Sequence, residues 1–363
     1  LLFRRAILRR SITAMIIGGI VLGNAILAGF PQVSLYIILF LFIYFLFELF
    51  YGWKENLISS SLKQSAIAVG FIIIAVAFTA IQLLPTIELA PLSQRAVITY
   101  EKSQEGQLSW QQLITLIIPK YFGSSGAEGS TYWGNGAYWV YWETCFYLGI
   151  PALILIIFSA FKFRLNRYII FFFSVGIFSI LYALGDNFIL HNFFFHYVPG
   201  FDKFRSVGRI TLLSTFSFSL LVGFGAQAVF ELIVQSSKLL KKVILGIIAL
   251  SVILFFLAQS GWMQNIADPR AANQIHSGSV DASITMLIIS LIAVALLFFI
   301  NRRYSISLLF SAFVILQFID INIFGFTQNN GDINPDEYYR RTENLIRYVR
   351  DAGKTEYFRV NSR

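Results

Sequence analysis

Five residues able to hold an anion lie close together in a chain that is otherwise apolar. Lys203, Arg205 and Arg209 fall within PGFDKFRSVGR, and His191 and His196 stand just upstream. Arg205 and Arg209 are four apart, so a helix beginning by Arg205 would place both guanidinium groups on one face. Two such cations repel each other. An anion between them relieves the repulsion, and guanidinium forks suit phosphate oxygens well. The alternatives are an ion pair with Asp202 or Asp186, or contact with lipid headgroups. A second set comes after Pro85: Glu88, Ser93 and Arg95 could line a polar cleft, with Glu88 orienting a hydroxyl and Arg95 holding phosphate, or the acid and base could bridge each other. In a third set Glu143 lies beside Trp139 and Trp142, downstream of Tyr132. Aromatic faces there could stack on a sugar, although such rings also collect at membrane interfaces. The two upstream histidines are five apart, off a common helical face, and no Cys or His spacing fits a metal. Neither a phosphate-binding P-loop, a nucleophile elbow nor a zinc-protease helix occurs, and no cofactor is implied.

The elements that must position these residues are apolar helices. Of 363 residues 57% are hydrophobic and 13% charged, more apolar surface than a soluble domain can cover. A bilayer core takes about 20 mostly apolar residues to cross. Charge-free runs near that length recur at 12 to 30, 33 to 47, 64 to 84, 144 to 161, 168 to 184, 210 to 230, 243 to 260, 284 to 300 and 305 to 324. The predicted fold is therefore an all-α polytopic bundle of about nine spans over residues 1 to 326. Pro31 cannot continue a helix ideally, so a tight turn, rather than one kinked helix, is expected between the first two. Glu48 and Asp320 are near enough to span ends to be solvated.

The net charge of +9 comes from short clusters between the runs, which points to a membrane and not to nucleic acid. Arg4, Arg5, Arg9 and Arg10; Lys54 and Lys63; Lys162, Arg164 and Arg167; Lys238, Lys241 and Lys242; and Arg302 and Arg303 all fall on one side, which makes that side cytoplasmic. Function is then expected in the outer segments 85 to 143, 185 to 209 and 261 to 283, and in a tail, 327 to 363, that reads as the start of an extracytoplasmic soluble domain. Residues 107 to 120, QLSWQQLITLIIPK, read as a helix lying in the membrane interface. The tail carries a short amphipathic helix near 336 to 351. A start at Leu1 without Met and an end just after YFRV are expected of a piece of a longer chain, and the lone Cys145 forms no intrachain disulfide.

Four segments in order, LAGFPQVSLY (27 to 36), IQLLPTIELAPLSQR (81 to 95), ETCFYLGIPALIL (143 to 155) and PGFDKFRSVGRITLL (199 to 213), resemble the YfhO family of bacterial membrane proteins. The resemblance covers residues 1 to 230. It implies a protein of the bacterial cytoplasmic membrane similar to C-superfamily glycosyltransferases, which move sugar from a polyprenyl-phosphate carrier to a cell-envelope acceptor on the outer face. It also implies that the catalytic acid lies in a first external loop upstream of Leu1, leaving Glu88 as a secondary candidate. The phosphate-binding set would be Lys203, Arg205, Arg209, Arg95, His191 and His196, and the sugar or acceptor set Glu143, Trp139, Trp142 and Tyr132. A lipid or polysaccharide transporter, with buried charges halfway along its spans, and a non-catalytic envelope assembly protein are the rival expectations.

Overall fold

The computed structural model describes residues 1–54, 58–92, 98–119, 121–123, 132, 141–162, 165–234, 238–260, 280, 283–285, 287–292, 295, 306–329 and 343–354. Among the described residues the regular structure is helical, with no strand. The principal helices are α1 Leu2–Arg9, α2 Ile12–Leu27, α3 Pro31–Lys54, α4 Ile58–Leu89, α5 Ile150–Lys162, α6 Arg167–Ala183, α7 Ile189–Tyr197, α8 Thr211–Val234, α9 Lys238–Gln259, α10 Ile306–Asn329 and α11 Glu343–Ala352.

Local chemistry sets several of these boundaries. The side chain of Ser11 accepts from the Ala14 N–H at 3.2 Å and caps α2; Asn166 caps α6 through Tyr168 N at 2.9 Å. Between α2 and α3 the chain turns at Gly29, whose φ is +80°, and Pro31 opens the new helix, where its missing N–H leaves no gap in the hydrogen bonding. The first two apolar runs are thus two helices. α1 is amphipathic: Phe3, Ala6 and Ile7 are buried, while Arg4, Arg5 and Arg9 stay outside.

Two packed groups make up the core. α2 lies against α4, and its small residues make the close approach: a Cβ on Gly18, Gly19 or Gly23 would come within 2.4 to 2.8 Å of Phe71, Ile74 or Phe78. Aromatic rings join this pair to α1, α3 and α6, with Phe3 and Phe71 edge to face at 5.0 Å and Tyr44 and Phe171 at 5.5 Å. The second group sets α8 against α5 and α6 and closes on α10 through Ile154, Phe158, Val229 and Phe313.

The pattern of exposure is inverted relative to a water-soluble bundle. Thr79 is fully buried in α4, and Gln32 and Ser34 are buried in α3, while Ile73 and Ile81 of α4 are exposed by 60% and 84%. An apolar exterior over a partly polar interior is what a helix bundle in lipid presents. Three helical stretches, Pro31–Tyr51, Leu62–Leu92 and Val207–Ile233, are long and apolar enough to cross a membrane, and several apolar helices are shorter.

Three expectations change. Residues 107 to 118 do not form an interfacial α-helix: they hold a 3₁₀ turn at Gln111–Leu116 that buries Gln112 and Thr115 as well as Leu108 and Ile118. Glu48 and Asp320 are buried, at 4% and 3% exposure, not solvated. Glu48 accepts from Tyr44 OH at 2.5 Å. Asp320 accepts from Tyr147 OH at 2.6 Å and from Ile150 N at 2.7 Å, and Gln317 accepts from Ala152 N at 3.0 Å. α10 thereby caps the first turn of α5 from outside, satisfying N–H groups that a helix leaves unpaired at its start. In the tail, α11 coincides with the second half of the predicted amphipathic segment and runs one residue past it.

Candidate functional site

The loops after α4 and α6 pack on each other at the end of the bundle predicted to face outward. Leu108 N donates to Ala183 O at 2.8 Å, Asp186 N to Gln107 Oε1 at 2.9 Å, and Asn187 Nδ2 to Leu108 O at 3.0 Å. The turn at Gly106 has a φ of +67°, and its carbonyl oxygen lies 2.2 Å from where a Cβ on Gly208 would sit. Glycine at 208 therefore lets Glu105–Gly106 lie directly on Val207–Arg209.

The two arginines are placed separately. α8 begins at Thr211, Arg209 sits in a 3₁₀ turn at Val207–Ile210, and Ser206 between them is left-handed at φ 62°. The expected shared helical face does not form, because the chain bends just where that helix would have had to run. A non-glycine residue in this conformation carries strain of about 1 kcal/mol or more and persists only where its surroundings hold it. Buried Gln32 packs against this bend: its Nε2 donates to Arg205 O at 2.7 Å and Tyr36 OH at 3.0 Å and lies 3.3 Å from Ser206 O, while its Oε1 accepts from Arg209 Nη1 at 3.0 Å.

Each cation has a carboxylate. Arg209 donates to Glu143 Oε1 through Nη2 and through Nε, the latter at 2.8 Å, and lies over the Phe30 ring at 5.2 Å. Arg205 meets Glu105 at 3.5 Å with both side chains about half exposed, and Lys203 meets Asp202 at 2.6 Å. The anticipated ion-pair alternative thus holds for Lys203 with Asp202, whereas Arg205 and Arg209 use Glu105 and Glu143, distant in sequence. Nothing in the spacing pointed to Gln32, Glu105 or Gly106, since they belong to other segments. The second oxygen of Glu143, Oε2, is buried beside Gly106 and has no hydrogen-bond partner among the described residues.

His191 and His196 belong to another cluster. His191 is buried at 2% exposure, stacked on Tyr100 at 5.5 Å and edge-on to Tyr182 at 5.3 Å. Ser103 Oγ donates to Tyr100 O at 2.5 Å, so the proton on its 2.9 Å contact with His191 belongs to Nε2. Burial pushes the imidazole down to about 4, against the opposing pull of Asp186, so it is neutral near pH 7. Exposed His196 lies 5.4 Å from Tyr100, and Tyr100 OH donates to Asp186 at 3.0 Å.

No known protein family, curated protein or solved structure matches the chain. The remaining predicted site residues are scattered. Glu88 is exposed on the last turn of α4. Tyr132 OH accepts from Gln112 Nε2 at 2.9 Å and contacts Thr144 Oγ1 at 3.2 Å, which ties that ring to the loop beneath Glu143. Ser93, Arg95 and Trp139 lie outside the described residues, as does the side chain of Trp142. Among the described residues no three His, Cys, Asp or Glu side chains converge as a metal site.

Chemically, the arrangement offers a fixed carboxylate with one oxygen unspent, a cation that neutralises the other, and a second, looser cation nearby in the chain. Such a set can receive a phosphate at Arg205, whose contact with Glu105 exchanges at little cost, and can accept a proton at Glu143 Oε2 once the Gly106 turn that buries it moves aside.

Proposed function

We propose that the chain belongs to a polytopic protein of the bacterial cytoplasmic membrane that transfers sugar from a polyprenyl-phosphate donor to a cell-envelope acceptor on the outer face. In this reading it crosses the membrane about nine times, with its tail outside. The supporting observation is the Gln32–Arg209–Glu143 group, which draws the start of α3, the loop before α5 and the approach to α8 into one polar centre with a carboxylate oxygen unpaired among the described residues. In this reading the Glu105–Gly106 turn that covers Glu143 Oε2 gives way to the acceptor, and Glu143 takes the proton of the acceptor hydroxyl as that hydroxyl's oxygen forms its bond to the sugar's anomeric carbon. The bond from that carbon to the donor phosphate breaks, and Arg205 meets the charge growing on the leaving phosphate. Arg209 is a positioning residue that holds Glu143.

The test is transfer from a radiolabelled polyprenyl-phosphate sugar by the full-length protein. Arg205→Gln is expected to lower transfer by about 10- to 100-fold, the equivalent of losing a charged hydrogen bond, and Glu143→Gln to lower it at least as far. Unchanged transfer in both variants would remove these residues from the chemistry.

The burial of Glu48 and Asp320 in apolar helices favours a second reading, a transporter or flippase. For Asp320 that burial has a structural account, because both its oxygens are spent on α5 and Tyr147. Movement of labelled lipid or polysaccharide in proteoliposomes, lost in Glu48→Gln, would favour transport.

A further inference from the structure

At the end of the bundle opposite Glu143, α1, α3, α6 and α8 surround a groove of about 900 Å³. That is near the top of the range of about 300–1,000 Å³ seen for small-molecule sites. Its walls are apolar: Phe40 and Leu41 from α3, Phe172 from α6, and Phe216, Leu220 and Phe224 from α8. Arg4, Arg5 and Arg9 line it too, all from α1 and all exposed.

The helix directions fix where along the groove these arginines stand. Arg4 Nη2 donates to Tyr168 OH at 3.4 Å and lies 5.4 Å from that ring's centre, and Tyr168 is the second residue of α6. α8 runs back towards this end, so Phe224, Leu220 and Phe216 lie successively deeper. Eight residues of helix from Phe224 to Phe216 span about 12 Å, close to the depth of one leaflet in a hydrocarbon core of about 30 Å. Among the described residues none of the three arginines has a carboxylate within ion-pair distance. Tyr44, which lines the groove, donates to Glu48 at 2.5 Å, so that carboxylate is already engaged.

We infer that this groove binds an anionic glycerophospholipid of the adjacent leaflet, its phosphate on the Arg4, Arg5 and Arg9 guanidinium groups and an acyl chain between Phe40, Phe172 and Phe224. The charge selects the headgroup: three cations with no carboxylate at ion-pair distance among the described residues call for an anion, and guanidinium forks match phosphate oxygens. The walls select the tail attached to that headgroup, since a chain of methylenes meets only apolar side chains. A soluble anion would satisfy the rim and leave the groove unfilled; a neutral lipid would do the reverse. This site goes beyond the sugar-transfer reading and is independent of it, because it shares no residue with the Gln32–Arg209–Glu143 group.

The measurement is native mass spectrometry of the purified protein titrated with phosphatidylglycerol or phosphatidylcholine of identical acyl chains. One phosphatidylglycerol is expected to be retained at least tenfold more tightly than phosphatidylcholine. Each single Arg→Gln change should weaken it about fivefold, and Arg4→Gln/Arg5→Gln/Arg9→Gln together about a hundredfold. Leu220→Trp, which fills the groove and keeps every arginine, should abolish retention. Equal retention of the two lipids overturns the inference. So does full retention by Leu220→Trp, which would reduce the arginines to general attraction for an anionic surface. A photoreactive residue at Leu220 that cross-links to polypeptide, from this chain or a second copy, instead of lipid would also overturn it. Should the triple variant fail to fold, the single variants and Leu220→Trp decide the matter.

Discussion

Replacing Arg209 by Gln and Arg205 by Gln should have opposite signatures, although the two residues look equivalent in the sequence. Arg209 and Glu143 are 27% and 13% exposed, and Arg209 also supplies the Gln32 side chain with a donor. Breaking a fully buried pair from one side costs about 3–5 kcal/mol because the remaining charge is stranded; a surface pair is worth about 0–1 kcal/mol. Partial solvent access places Arg209→Gln between these limits, at about 2–3 kcal/mol of lost stability. Arg205 and Glu105 are 50% and 45% exposed and meet at only 3.5 Å, so Arg205→Gln should change stability by less than about 0.5 kcal/mol. Denaturant unfolding in detergent micelles, followed by tryptophan fluorescence, gives both values. A double-mutant cycle with Glu143→Gln isolates the pair and should return a coupling of about 1.5–2.5 kcal/mol. Equal stability of the two arginine variants, or a coupling near zero, would refute the assignment of Arg209 to positioning Glu143. Loss of transfer without loss of stability in Arg209→Gln would instead put that arginine on the substrate.

Buried His191 should make stability depend on pH. Its imidazole titrates at about 4 when folded and near 6.5 when unfolded, so the unfolded chain binds the extra proton in between; stability should fall as pH drops from 6.5 towards 4, by on the order of 3 kcal/mol in total, and His191→Gln should flatten the slope between pH 5 and 6.5. Asp320→Ala should destabilise the protein by about 2–4 kcal/mol, because it strands both the Ile150 N–H and the Tyr147 hydroxyl, and denaturant unfolding should show Asp320→Asn to be milder. In a variant with Cys145 replaced by Ser, a cysteine at exposed Tyr197 should react with an impermeant maleimide from outside intact cells, and one at exposed Leu165 only after the inner face is opened; the reverse would invert the topology. Amide exchange over residues 107–118 should be slow, since Leu108, Gln112 and Ile118 are buried and the segment is bonded to α6; exchange at the rate of a free loop would contradict the packed turn.

What the sequence alone determined is the helical, apolar character of the chain and the break at Gly29 and Pro31, because both arise from local terms: hydropathy along the chain and the backbone freedom of two residues. It also marked Arg205, Arg209 and Glu143 as residues out of place in apolar surroundings. It could not say which acid meets which base. Arg209 finds Glu143 across 66 positions and Gln32 across 177, and pairings of that kind depend on how helices pack, not on spacing. The expectation of one helical face for Arg205 and Arg209 failed because the backbone is left-handed at Ser206, a bend against which Gln32 of another helix packs. Asp320 likewise looked like a solvated acid near a helix end until α10 was seen to cap α5 with it. In 107 to 118 the covered side is not the one helical spacing pointed to: Gln112 and Thr115 are buried while Leu113, Ile114 and Ile117 are half-buried, because the segment turns as a 3₁₀ helix and the loop after α6 closes over Leu108.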